Sequence, residues 1–364
     1  QENFKNYKGD GEFSDIGCYY VPEQKNCFLV DESKKIYVYV YNYKKEKTKY
    51  RDETDYRKVS VLELYSYYSS MKDLISFEKK IVDNWNNQME KKYKKNKYIF
   101  SLSWENEQLC VTENTWSSFA TFENSFFPKK EDIVKKIDYF LNNREDYIRK
   151  GNPYTLGILL YGLPGGGKTR FIKQLINHTG RHAVEIDLKG NFDFGCLKNI
   201  LNSQDIGNGI NIPTNKKIFI FEDIDASTKK LKNREKPETE PDVVVLDKEN
   251  KVKHVMDHKN TLSTFLNIMD GVKEADGRIC IFTTNYIDKI DPAVFRPGRI
   301  DIKIKVKKLN IEEVYQMCKI YWKEEFSYKP EDLKSDVHDK YTSAMLNGLF
   351  KSVSTFDQIK SELI

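Results

Sequence analysis

The run Gly162-Leu-Pro-Gly-Gly-Gly-Lys168-Thr169 constrains this chain of 364 residues more than any other stretch. An apolar segment, Gly157-Ile-Leu-Leu-Tyr161, precedes it, and the amphipathic Arg170-Phe-Ile-Lys-Gln-Leu175 follows. The loop therefore joins a buried strand to the start of a helix. A backbone this rich in glycine lets successive N–H groups turn toward one anion, where a Cβ would obstruct them. The spacing satisfies G-x-x-x-x-G-K-[ST], the loop that holds the phosphates of a nucleoside triphosphate. ATP with Mg²⁺ is the expected ligand. Gly162, Leu163, Pro164, Gly165, Gly166 and Gly167 would wrap the phosphates, Lys168 would reach the β- and γ-phosphates, and Thr169 would hold Mg²⁺ through its hydroxyl. Arg170 belongs to the same binding segment, at the positive end of the following helix.

Such a site needs carboxylates at the end of a neighbouring strand, one for the metal and one for the attacking water. Lys217-Ile-Phe-Ile-Phe-Glu-Asp-Ile-Asp225 supplies four apolar residues and then Glu222 and Asp223, with Asp225 expected to play a supporting structural part. Ile279-Cys-Ile-Phe-Thr-Thr-Asn285 ends another apolar run on an amide that could orient water or touch the γ-phosphate. Asp291-Pro-Ala-Val-Phe-Arg-Pro-Gly-Arg-Ile-Asp301 presents Arg296 and Arg299 around a Pro-Gly turn. Guanidinium groups held this way suit the charge that spreads over a transferring phosphoryl group. The sequence leaves open whether they face their own nucleotide or a neighbour's.

Apolar β-type runs recur at 182–188, 217–221, 278–283 and 300–306, separated by helical or loop segments, which predicts a parallel sheet covered on both faces. The charged, proline-containing stretch 228–260 interrupts that rhythm and reads as a surface hairpin or loop. Helices are expected at 129–149, through Ile133, Val134, Ile137, Phe140 and Leu141, and after Lys308. The latter opens on the capping-box pattern Asn310-Ile-Glu-Glu313 and carries Val314, Cys318, Tyr321 and Trp322 on one side. Upstream, alternating runs such as Lys35–Tyr43 predict strands, followed by a helix and two short strands at 98–104 and 108–111. The helical stripe Met71, Leu74, Ile75, Ile81, Val82, Trp85 and Met89 is expected to be core.

Sixty Lys and Arg against 55 Asp and Glu leave a charge of +5, too small a bias to mark a dedicated nucleic-acid domain. Six scattered cysteines without a Cys-x-x-Cys pair favour a reducing intracellular compartment over a disulfide framework or a zinc site. No run approaches the roughly 18 apolar residues of a membrane-spanning helix, so a soluble chain is expected, cytoplasmic or else membrane-associated through an upstream segment. The abundance of Lys, Asn and Tyr fits an AT-rich coding sequence, as in some protists and large DNA viruses.

Together, the phosphate loop, the strand-end acids, Thr283-Thr-Asn285 and Asp-Pro-Ala-x-x-Arg-Pro-Gly-Arg-x-Asp resemble the AAA+ ATPases in order and spacing. Within that family, Gly157–Tyr161, the Glu222-Asp223 order and Leu262-Ser-Thr-Phe-Leu-Asn-Ile-Met-Asp-Gly271 are similar to the mitochondrial inner-membrane chaperones that assemble respiratory complex III by translocating the folded Rieske protein. The resemblance implies an α/β P-loop NTPase fold, a three-layer parallel sheet with a C-terminal helical lid. The divisions would be an N-terminal β-rich α+β domain at 1–118, a large ATPase domain at 119–308 and the lid at 309–364. It also implies that Glu222 serves Mg²⁺, Asp223 activates water, Asn285 senses the γ-phosphate, and Arg296 and Arg299 act in trans within a homo-oligomeric ring, hexamer or heptamer, that remodels or translocates a protein cargo. Three features depart from the family pattern. The loop core reads Leu-Pro-Gly-Gly-Gly-Lys rather than Pro-Pro-Gly-Thr-Gly-Lys, no membrane helix is present in this chain, and the C-terminal helical segment is short. A threading loop would fall at Gly190–Gly195 through Phe194-Gly195, although Phe194 reads more readily as a packed residue at a helix start. The alternative function is an AAA+ nucleic-acid motor or replication-associated ATPase, supported by the lysine run 91–97. A third reading is a nucleotide-binding scaffold without turnover.

Overall fold

The computed structural model describes residues 27–50, 53–105, 108–188, 192–227, 244–246, 252–254, 262–270 and 275–364. The chain divides into two compact units, Gln1–Lys95 and Asn96–Ile364.

In the first unit, β1 (Cys27–Asp31), β2 (Ile36–Tyr50) and β3 (Glu53–Tyr65) form an antiparallel sheet in sequence order, where alternating Tyr and β-branched residues favour the extended backbone. Helix α1 (Met71–Lys95) begins at Ser70, whose hydroxyl accepts from Asp73 N at 3.3 Å while the Asp73 carboxylate accepts from Ser70 N at 3.1 Å. The stripe expected to be core is not. No residue of α1 is buried; Met71 is 70% exposed and Ile75 57%. Helical periodicity reveals that one face is apolar, but not that anything covers it.

The second unit is built on one sheet. Its elements in chain order are β4 (Tyr98–Glu105), β5 (Gln108–Thr115), α2 (Lys130–Asn142), α3 (Arg144–Arg149), β6 (Thr155–Gly162), α4 (Lys168–Thr179), β7 (His182–Ile186), α5 (Phe194–Asn202), β8 (Lys217–Phe221), α6 (Ile224–Ser227), β9 (Val244–Leu246), β10 (Val252–His254), α7 (Leu262–Met269), β11 (Arg278–Thr284), β12 (Ile302–Val306), α8 (Ile311–Trp322), α9 (Ser343–Lys351) and α10 (Asp357–Leu363). The strand order is β12-β6-β11-β8-β7-β4-β5, parallel throughout except for the last pair. Strands β8 and β11 are buried along their whole length, as continuous apolar runs require in a sheet covered on both faces. The α/β class is as expected.

Three details differ from expectation. Strands β4 and β5, assigned from sequence to an N-terminal domain ending at 118, extend this sheet instead, because β4 pairs with β7 from Ile99↔Ala183 to Leu102↔Ile186. Alternation identified them as strands but could not say which sheet they join. The helix predicted over 129–149 breaks at Asn143 (φ −122°, ψ 44°) into α2 and α3. Of the stretch 228–260, the described pieces β9 and β10 pair as an antiparallel hairpin.

The C-terminal helices enclose their own core around Val314, Cys318, Trp322, Leu346, Phe350 and Phe356. The capping box at Asn310 is present, with both reciprocal bonds at 2.8 Å. Tyr321, expected on the buried side, is half-exposed.

Candidate nucleotide-binding site

The carboxyl ends of β6, β8 and β11 lie side by side, and in an open α/β sheet that edge is where ligands bind. Strand β6 delivers the phosphate loop there. Gly167 has φ 105° and open space where a Cβ would stand, while a Cβ on Gly166 would meet Val306 Cγ1 at 2.3 Å. The loop is thus wrapped against β12 on one side and bare on the other. Helix α4 starts at Gly167 with no side-chain cap and no acidic residue in its first turn. Its free N–H groups and positive dipole end are available to an anion, so the arrangement suits a polyphosphate.

Lys168 is buried, and burial holds its ammonium below the ordinary lysine pKa, with the carboxylates of Asp223, Asp225 and Glu222 pulling the other way. Its Nζ donates to the carbonyls of Gly162 (3.0 Å) and Leu163 (3.1 Å) and to Asn285 Oδ1 (2.7 Å). The other end of that amide, Asn285 Nδ2, donates to Asp223 Oδ1 at 3.4 Å. Lysine, amide and acid, expected from three separate segments, form one hydrogen-bonded chain.

Thr169 donates its hydroxyl to Glu222 Oε1 at 3.2 Å. A hydroxyl and a carboxylate side by side form an all-oxygen donor set that, completed by phosphate oxygens and water, fits Mg²⁺. Burial raises the Glu222 pKa, and the Glu185 and Asp223 carboxylates raise it further, against the Thr169 hydrogen bond. A bound cation would relieve that penalty. Asp223 sits at φ 46°, a left-handed conformation unusual for a non-glycine residue, and its N–H is held by Thr283 Oγ1 at 2.9 Å. Asp225 accepts from Thr284 Oγ1 (2.7 Å) and from Asn285 N (3.1 Å), so it fixes the turn that carries the amide.

The two arginines part company. Arg299 is 13% exposed and forms a bidentate pair with Asp270, with Nε at 2.8 Å from both carboxylate oxygens and Nη2 also in contact. Its Nη1 donates to the Ala293 carbonyl. Arg296 is exposed, and its guanidinium has no hydrogen bond or ion pair among the described residues. Arg170 donates to Asn124 O (2.7 Å) and Oδ1 (3.2 Å), tying α4 to the segment before α2.

Two features had no signal in the sequence. A crevice beside the loop is lined by Phe126, Phe127, Gly166, Ile304, Met317 and Asn347, drawn from five separate segments. The lid reaches the loop itself, because Ala344 N donates to Gly165 O at 3.1 Å. Phe194 is packed at the start of α5 against Phe265, with ring centroids 5.9 Å apart; residues 190 and 191 of the possible threading loop lie outside the described residues.

Residues 158–308 match the family model described as "ATPase family associated with various cellular activities". This stretch is an AAA-family ATPase domain. An AAA-ATPase of Arabidopsis thaliana is 33% identical over 199 residues, covering 54% of this chain and 36% of the relative. The mitochondrial chaperone BCS1 of Danio rerio is 28% identical over 228 residues, covering 62% of this chain and 50% of the relative. That of Bos taurus is 32% identical over 196 residues, covering 53% and 41%. The AAA domain is related to these proteins, and the chain spans between about a third and a half of their length. Among the described residues no helix is long and apolar enough to cross a membrane.

Proposed function

We propose that this chain binds ATP with Mg²⁺, hydrolyses it, and uses the cycle in an oligomeric ring to remodel or translocate a protein. The observation that carries the reading is the hydrogen-bonded chain Lys168–Asn285–Asp223 beside the glycine loop, with Thr169 and Glu222 in contact alongside. With nucleotide present, Lys168 exchanges its carbonyl partners for phosphate oxygens, and Thr169 and Glu222 hold the metal. Magnesium supplies charge neutralisation at the phosphoryl oxygens. Asp223 accepts the proton of the attacking water, and Asn285 holds that water in line. Arg296 is the arginine free to serve a neighbouring subunit's nucleotide, whereas Arg299 holds the turn in place through Asp270.

The protein-remodelling part rests on the relation to mitochondrial chaperones named BCS1. With Phe194 packed in the core, passage of folded cargo fits better than threading past this residue.

Phosphate release from ATP tests the catalytic reading. Wild-type protein should turn over. Lys168→Ala should lose binding and turnover together, and Asp223→Asn should retain binding while losing turnover by about a hundredfold or more. Turnover unchanged in Asp223→Asn would remove Asp223 from the chemistry. Arg296→Ala mixed into wild type should inhibit beyond simple dilution if sites are shared between subunits. Strong stimulation by DNA would instead favour a nucleic-acid motor.

A further inference from the structure

Helix α1 is 25 residues long and buries none of them. At about 3.6 residues per turn, Met71, Leu74, Ile75, Ile81, Val82 and Trp85 fall within roughly a third of its circumference. The exposed ones among them would be an unfavourable surface in water. The polar face is lysine-rich, with seven lysines against four carboxylates along the helix, and Lys91, Lys92, Lys94 and Lys95 crowd its last turns. Immediately before it, Tyr67 and Tyr68 are 85% and 82% exposed.

A second copy of the helix does not answer this surface. In parallel pairing the lysine-rich ends would repel. In antiparallel pairing each would meet an end with as many acids as bases and gain nothing. Both three-and-four spacings that start at Met71 run through Glu78 and Lys92, so no coiled-coil seam is available. An anionic lipid surface answers the apolar arc and the lysines together, with Lys92 extending to the headgroups and Glu78 the one carboxylate on the arc. The apolar arc enters the headgroup–acyl boundary, the lysines meet anionic headgroups, and Trp and Tyr rings suit the interfacial layer.

We propose that α1 is an interfacial helix that docks the protein in-plane on an anionic membrane surface. The test uses the full chain with extruded vesicles of phosphatidylcholine alone or mixed with phosphatidylserine, read by co-sedimentation and tryptophan emission. Binding is expected to be at least about tenfold tighter to the anionic vesicles, and to weaken at high ionic strength. A blue shift of emission should accompany it and disappear in Trp85→Phe, which still sediments. Ile81→Asp with Val82→Asp should weaken binding about tenfold or more, as should Lys91→Glu with Lys95→Glu, while ATP binding stays at the wild-type level as the folding control. The proposal fails if anionic vesicles are not bound at low salt, or if the Ile81/Val82 variant binds as tightly as wild type, which would leave only attraction to any polyanion. It also fails if the same variant abolishes lipid-independent self-association without changing vesicle binding, which would make the face a contact between copies.

Discussion

Helices α1 and α4 look alike as sequences and differ as structures. Both carry a stripe of apolar residues at helical spacing. In α4, Phe171, Ile172, Leu175 and Ile176 are buried in the interior of the sheet, together with Ile158, Leu160 and Ile220. In α1 the equivalent stripe faces outward. The same contrast extends to charges. The second unit holds charged groups away from water, at Lys217, Arg181 and Glu222, and burial moves their pKa values. In the first unit the shifted carboxylates of Asp31, Asp73 and Glu90 are lowered by exposed hydrogen bonds. Amphipathicity is a demand for a partner, and among the described residues α4 meets one where α1 does not.

The sharpest way to break this comparison is Leu175→Ala, which should cost about 2–5 kcal/mol by chemical denaturation, since Leu175 is fully buried. A loss within about 0.5 kcal/mol, the range of surface substitutions, would mean that α4 is no better packed than α1.

Next in size is a pH effect. Lys217 is fully buried and, among the described residues, donates to the carbonyls of Ser203 (2.9 Å) and Gln204 (3.2 Å), and burial lowers its pKa from 10.5 to about 8. Between those values the folded chain binds fewer protons than the unfolded chain, so stability should rise with pH across that window, by at most about 1.4 kcal/mol per pH unit. Below pH 8 both states are protonated and the cost of burying the charge is constant. Comparing wild type with Lys217→Met from pH 7 to 10.5 isolates the slope. Equal slopes would mean that this lysine is solvated, and the interior less dry than its packing indicates.

A smaller effect, of opposite sign for stability and function, is expected at Glu222. Its folded pKa is raised, so holding it ionised at neutral pH costs stability that protonation returns as pH falls. Glu222→Gln should therefore raise the melting temperature of nucleotide-free protein by roughly 2–4 °C while weakening Mg²⁺-dependent turnover. A lower melting temperature would contradict the burial penalty. The smallest change is Ile81→Ala in α1, expected to move stability by less than about 0.5 kcal/mol. A loss of several kcal/mol would show that the face is covered after all and would undercut the membrane proposal.

What could be read from the chain in advance follows the same division. The glycine loop, the Glu222-Asp223 pair and Asn285 were legible because each sits at the end of an unbroken apolar strand, where local pattern alone fixes position. Strands β4 and β5 were visible as strands but not as members of this sheet, since β4 meets β7 across more than eighty residues of chain. Arg299 was legible as an arginine in a rigid turn but not as the partner of Asp270, twenty-nine positions away. The crevice beside the loop left no trace, because Phe126, Ile304, Met317 and Asn347 share no spacing. Period and punctuation report the neighbourhood of a residue along the chain, and long-range pairing lies beyond them.

The hydrogen bond from Ala344 to the Gly165 carbonyl has a mechanical corollary. The loop proposed to enclose the phosphates also anchors the first turn of α9, so a grip that tightened or slackened there would tug on the C-terminal helices. Whatever those helices lean against would feel each round of filling and emptying as a displacement. If the site fills and empties as proposed, that one bond would gear it to the helical core around Val314, Leu346 and Phe350.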